Sequence, residues 1–119
     1  MKILVRNQTR NTILADSADV ADTSAKRRVG LLKHTRLDPG QGLWIVPCES
    51  VHSFFMKFAI DLVYLDRARK VRKVRHRMEP WRVSACFRAH SILELPAGSV
   101  APTGTQAGDQ IQIEPLSEK

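Results

Sequence analysis

From Gly42 to Glu114 the chain is a succession of short apolar runs, each stopped within a few residues by proline, glycine or charge. Brief runs rich in branched and aromatic residues, bounded by turn formers, specify strands rather than helices. Leu43–Val46 reads as a strand broken by Pro47–Ser50, and His52–Phe58 and Ile60–Asp66 read as two more. Arg67–Arg69 turns the chain, Val71–Arg77 reads as an exposed edge or hairpin strand, and Trp81–Phe87 as irregular or a short strand. His90–Leu95 alternates, with Ile92, Glu94 and Pro96 on one side and Ser91, Leu93 and Leu95 on the other. Gly98 and Gly104 bracket a short helical turn that Pro102 can enter at its start. Gly108-Asp109 then turns into a last strand, Gln110–Glu114.

Ahead of this region, Lys2–Arg6 and Thr12–Ala15 suit a hairpin across the polar turn Asn7–Asn11. The acidic segment Asp16–Asp22 shows no period. Thr23 or Ser24 can cap a helix running to about Lys33, with Ala25, Val29 and Leu32 on its apolar face and Gly30 inside it at a point of close packing. Asp38-Pro39-Gly40 is a turn. About eight short strands and one helix predict a mainly β (α+β) protein. The expected form is a small curved antiparallel sheet or partly closed barrel, its N-terminal helix covering an opening and a helical turn near the C-terminus. At 119 residues the chain fits a single domain, 1–119, with a frayed tail at Pro115–Lys119.

Composition adds little: 43% hydrophobic and 26% charged residues suit an ordinary soluble globular protein. The run Ile3-Leu4-Val5 stops at Arg6, too soon for a signal-peptide core, and no stretch reaches the length of a membrane span. The expectation is a cytoplasmic protein with no membrane partner, whose two cysteines stay thiols. Charge is placed more tellingly. Residues 67–82 hold eight Lys/Arg against the single acid Glu79, so the net charge of +7 resides there and the remainder is balanced.

Several phrases resemble the family known as domain of unknown function 192: Gly30-Leu31-Leu32; Gly42-Leu43-Trp44-Ile45 with Pro47-Cys48; Ser53–Asp66; Leu93-Glu94-Leu95-Pro96-Ala97-Gly98; and Thr103-Gly104-Thr105 with Gly108-Asp109. The resemblance runs from about Lys26 to Glu114 and implies a compact, mainly β fold with no established activity. The family's aromatic-Met-basic phrase stands as Phe55-Met56-Lys57. Departures are Lys33-His34 after the helix, Ala59 in place of a proline, and a turn through Arg67-Ala68-Arg69, none of which readily takes a positive φ.

One constellation carries chemistry. Cys48 with His52, and Cys86 with His90, repeat a Cys-x-x-x-His spacing, and together they offer the donors of a Cys₂His₂ zinc site. Strand geometry opposes it, because residues four apart lie about 13 Å from one another; the alternative is two buried thiols and two histidines satisfied by backbone partners, with no cofactor. Cys48 as a nucleophile with His52 as base and Asp61 as orienting acid is a second arrangement, without a nucleophile-elbow signature around it. The basic residues Arg67, Arg69, Lys70, Arg72, Lys73, Arg75 and Arg77 suit nonspecific contact with a polyanion, or a charged edge that blocks sheet-to-sheet association. If 52–58 is a strand, Phe54, Met56 and Phe58 share one face and Phe55 and Lys57 the other. The reading these features favour is a small module that binds a ligand or a protein partner between segments 48–61 and 81–94. Cys48, His52, Phe55, Lys57, Asp61, Trp81, Arg88, His90 and Glu94 are the candidates. A metal- or thiol-dependent enzyme at the same place, and a polyanion-binding edge over 67–82, are the competing classes.

Overall fold

A computed structural model describes residues 1–116. Over these residues the chain forms strands β1 (Lys2–Asn7) and β2 (Thr12–Ala21), helix α1 (Ser24–Val29), and strands β3 (Gln41–Ile45), β4 (Ser50–His52), β5 (Ile60–Leu65), β6 (Val71–Met78), β7 (Val83–Ala85) and β8 (Ser91–Pro96). A 3-10 turn (Ala101–Thr103) and β9 (Ile111–Pro115) follow. Seven strands make one sheet in the order β6-β5-β8-β3-β2-β1-β9, and β4 pairs with β7 in a separate ribbon. The sheet curls until its edges meet. The Val71 amide donates to the Asp109 carbonyl at 2.8 Å, Gly108 to Val71 at 2.8 Å, and Ile111 to Arg69 at 2.9 Å. The result is a curled half-barrel, in keeping with the mainly β, partly closed form expected.

Three details differ from the sequence reading. First, the sheet is not wholly antiparallel: β2 and β3 run parallel, with Ala18 opposite Gly42 and Ala21 opposite Ile45. A parallel pair needs a crossover, and α1 with the loop behind it supplies one. The segment Asp16–Asp22, aperiodic in sequence, is strand as far as Ala21; register shifts in the β1–β2 pairing break its alternation of buried residues. Second, α1 ends at Val29, not Lys33. Thr23 caps its start, its Oγ1 accepting from the Lys26 amide at 3.2 Å. Gly30, at φ 52°, ends the helix by donating its amide to Lys26 O at 2.9 Å. Third, His52–Phe58 is not a strand. Only Ser50–His52 pairs, and residues 53–59 form a loop. Pro115 and Leu116, expected in a frayed tail, are held: Pro115 pairs with Ile3 and the Leu116 amide donates to Lys2 O at 2.9 Å; residues 117–119 lie outside the described residues.

The Arg67–Arg69 turn forms despite its composition. Asp66 Oδ1 accepts the amides of Ala68 and Lys70, each at 2.9 Å, and Arg69 takes a φ of 63°. An Asx bond thus supplies what a glycine would otherwise provide.

The two faces of the sheet bury different clusters. Val5, Val63, Leu65, Leu93, Leu95 and Val100 pack on one. Leu43, Ile45, Leu62, Tyr64 and Ile92 pack on the other, where Leu31, Met56, Val51 and both cysteines cover them. Gly42 keeps β3 tight against β8, since a Cβ there would sit 2.8 Å from Glu94 O. The β4–β7 ribbon rides on the second face, held by three side chains that rise from the sheet. Tyr64 OH donates to Ser84 Oγ at 2.7 Å, Lys73 Nζ to Ala85 O at 2.8 Å, and an Arg75 N–H to Val83 O at 3.1 Å.

Candidate functional site

Glu94 stands in the middle of β8 with Leu43 opposite on β3 and Leu62 opposite on β5. Strand alternation puts it on the same face as Ile92, inside the second apolar cluster. It is 3% exposed, and no hydrogen bond to its side chain forms among the described residues. Burial pushes its pKa up to about 7, as expected for a carboxyl that must shed water without gaining a partner.

The carboxyl opens onto a cleft of about 280 Å³. One wall comes from α1 and the turn after it (Arg27, Arg28, Leu31), the other from the segment after β3 and from β4 (Cys48, Val51, His52), with Met56 at one end. The N-terminal helix, expected to cover an opening, lines this cleft above a continuous sheet. Cys48 Sγ donates to Ser50 O at 3.1 Å. Burial raises the Cys48 pKa above the ordinary thiol value and the Glu94 charge adds to the rise, while the Ser50 backbone and the Arg27 charge work the other way. A raised thiol pKa disfavours the thiolate that nucleophilic chemistry needs.

The ribbon brings segments 48–52 and 83–90 side by side. Ser50 faces Ala85 and His52 faces Val83; the Cys48 amide donates to His90 O at 2.8 Å, and Cys86 to Glu49 O at 2.9 Å. Because the two segments run antiparallel, the repeated Cys-x-x-x-His spacing points in opposite directions and His52 and His90 end far apart. Among the described residues no three His, Cys, Asp or Glu side chains are placed to hold a metal ion, so Cys48, His52, Cys86 and His90 do not converge on one.

The other candidates scatter. Asp61 lies on the opposite sheet face. Its Oδ1 accepts the Arg77 amide at 2.8 Å, and its Oδ2 those of Gly98 at 3.1 Å and Val100 at 3.0 Å. It pins a turn and does not orient His52, so the Cys48–His52–Asp61 arrangement is not assembled. Arg88 and His90 lie across Cys48 from the cleft, beside Arg67. Lys57 is exposed on the loop after β4.

Phe55 and Trp81 meet edge to face at 4.7 Å outside the cleft, 70% and 55% exposed. Phe54 stacks between Trp81 at 5.7 Å and His52 at 4.8 Å. Met56 is buried instead of sharing a strand face with Phe54. Phe55 and Trp81 both sit at φ 67°, a costly backbone for bulky residues. Ser53 holds both loops in place: its Oγ donates to Glu79 O at 2.7 Å and accepts the Arg82 amide at 2.9 Å, and its carbonyl accepts from Trp81 at 3.0 Å.

The basic edge is partly committed to the fold. Arg72 pairs with Asp66 at 2.9 Å and Arg77 with Glu79 at 3.0 Å, Arg69 covers the Trp44 ring at 5.1 Å, and Lys73 and Arg75 hold the ribbon. Sequence reasoning missed Arg27, Arg28, Val51 and Met56 as cleft residues, and Ser53 as the loop anchor. Their roles depend on α1 and the 53–59 loop folding toward the same face, which no local pattern announces.

Fold and cleft together define a class: a small half-barrel domain with a buried carboxyl at the floor of a cleft between a short helix and a two-stranded ribbon. The chain belongs to the family of domain of unknown function 192 (DUF192, "Uncharacterized ACR"), whose model matches residues 5–113 and so extends the resemblance back into β1. A UPF0127 protein of Thermococcus sibiricus is 31% identical over 95% of this chain and 76% of its own length. A UPF0127 protein of Pyrococcus horikoshii is 31% identical over 92% of this chain and 97% of its own. A Sinorhizobium meliloti structure described as a "putative transcription regulator" superposes with a TM-score of 0.80 at 18% identity, covering 93% of this chain and 91% of that one. A Novosphingobium aromaticivorans protein of unknown function gives 0.77 at 19% identity, over 94% and 84%. At such identities these two structures show a shared fold alone.

Proposed function

We propose that this chain is a small-ligand-binding module whose site is the cleft between α1, β4 and β8. One observation carries the reading: Glu94 lines the cleft at 3% exposure with no protein hydrogen-bond partner among the described residues, and its carboxyl oxygens keep a little accessible surface. A buried carboxyl left unpaired costs stability, and a protein keeps such a group where an incoming molecule completes it. The lining supports the same reading, since apolar walls with a few polar groups are the usual make-up of a small-molecule site. The test is a fragment screen followed by amide NMR. Hits are expected to shift the amides of Leu31, Cys48, Val51 and Glu94, and Val51→Trp, which fills the cleft, is expected to abolish the shifts. Hits that bind elsewhere, or that bind Val51→Trp unchanged, would exclude the cleft as the site.

A second reading, polyanion contact, draws on Arg67 and Lys70, which are exposed and lack a carboxylate partner among the described residues. Retention on heparin that falls steeply with salt, and disappears in Arg67→Ser/Lys70→Ser, is expected on that reading; unchanged retention in the variant rules it out.

A further inference from the structure

The cleft has charge of one sign at its floor and of the other at its mouth. Glu94 forms the floor, between Leu43 and Leu62. Arg27 and Arg28 stand on the α1 wall, and neither has a carboxylate partner among the described residues. Arg28 is exposed and Arg27 half-buried, and the Arg27 guanidinium makes one hydrogen bond among the described residues, to Ser24 Oγ at 3.5 Å. The charged and titratable groups that line the cleft are Arg27, Arg28, Cys48, His52 and Glu94. The lining also holds the apolar side chains of Leu31, Val51 and Met56.

Each class of simple ligand meets an obstacle here. A plain anion would be drawn to the arginines but repelled by an ionised Glu94. A plain amine would satisfy Glu94 after passing two guanidinium groups that repel it. A neutral apolar molecule would leave the carboxyl buried and still unpaired. Opposite charges at the two ends of one molecule meet both demands.

We infer that the cleft binds a small zwitterion, with a cationic nitrogen against Glu94, an anionic group at Arg27 and Arg28, and a short apolar span against Leu31, Val51 and Met56. This rests on the proposed ligand-binding role and narrows it to a chemical class. Charge-assisted bonds at both ends supply the specificity, and the carboxyl gains the donor that the fold withholds from it.

The experiment is calorimetric and NMR titration of the full chain at pH 8 with glycine, 4-aminobutyrate and 6-aminohexanoate, beside hexylamine and hexanoate. At least one ω-amino acid is expected to bind about tenfold tighter than either singly charged probe, the effect of one charge-assisted contact. Glu94→Gln is expected to weaken it by a similar factor with the amide spectrum otherwise kept. Arg27→Ser/Arg28→Ser is expected to bring the zwitterion down to the level of hexylamine. Equal binding of hexanoate, no binding by any amino acid of the series, or affinity unchanged in Glu94→Gln would overturn the inference. If neutral or anionic fragments occupy the cleft in its place, the ligand-binding role stands and only the zwitterion fails; if nothing enters the cleft, both fail.

Discussion

Glu94 is a carboxyl in a place suited to leucine, and its cost depends on pH. Folding carries its pKa from the ordinary 4.5 to about 7. Between those values the folded chain keeps a proton that the unfolded chain has released. Stability from this group is therefore highest below pH 4.5, declines as pH rises, and levels off above about 7. The whole decline is on the order of 3 kcal/mol. Glu94→Gln keeps the shape and removes the titration, so its melting temperature is expected to exceed that of the parent at pH 8 and to approach it at pH 5. A constant gap between the two proteins across that range would contradict an unpaired, buried acid. Cys48 offers a second check at this scale. Burial holds its thiol protonated, so at pH 8 iodoacetamide is expected to modify it more slowly than free cysteine. Faster modification would restore the case for thiol chemistry. The alternation of His90–Leu95 already set Glu94 apart from Leu93 and Leu95 in the sequence. That its side faced an apolar layer and a cleft depended on Leu43 and Leu62, both remote in the chain.

Among the elements, the two loops that display Phe55 and Trp81 depend on one hydroxyl. Ser53 is fully buried and satisfies groups from residues 79 and 82. Ser53→Ala leaves the Glu79 carbonyl and the Arg82 amide, both in part-buried bonds, short of a side-chain partner, at a cost of about 1 kcal/mol. Amide exchange at Arg82 is expected to quicken while that of Leu62 and Leu93, inside the sheet, holds; uniform loss of protection would show that Ser53 supports the core instead. The misreading of His52–Phe58 as a strand has its cause here. The run Phe54-Phe55-Met56-Lys57-Phe58 has strand composition, but a neighbouring strand was needed to pair with it. The loop before β5 takes Ser53 and Met56 inward, and the aromatic rings at 54 and 55 remain outside.

For the whole molecule, the pairing of β1 with β9 joins residues about a hundred positions apart. Asp109 accepts from Asn7 Nδ2 at 2.9 Å, from Arg10 Nε at 2.7 Å and from the Gln106 amide at 3.1 Å, tying the β1–β2 turn to the approach to β9. Burial alone would raise its pKa; the bonds from Asn7, Arg10 and Gln106 outweigh it and hold the carboxyl below its ordinary value. A lowered pKa contributes stability that is present above the ordinary value and lost as pH falls through the folded one. Asp109→Ala is expected to cost roughly 2–3 kcal/mol at pH 7 and to lose less than the parent on acidification. Parallel acid transitions in urea titrations of the two proteins would argue against this role. The ribbon and nearby acids also explain why the basic run 67–82 is less available than its composition suggests: Lys73 and Arg75 hold the ribbon, and Arg72 and Arg77 pair with Asp66 and Glu79.

By itself the sequence determined the mainly β class, most strand positions, a helix cap at Thr23 or Ser24 and the turn at Gly108-Asp109, because backbone propensity and side-chain alternation act over a few residues. It also placed Cys48, His52 and Glu94 among the groups worth testing. Tertiary structure alone decided the parallel β2–β3 pair, the edge-to-edge closure, and the split of the nine candidates among a cleft, an exposed aromatic cluster, a distant surface and a buried turn anchor. Each of those outcomes depends on which strand lies beside which and which face a loop covers. Those pairings are set by burial of the whole apolar surface at once, and no window of neighbouring residues contains them.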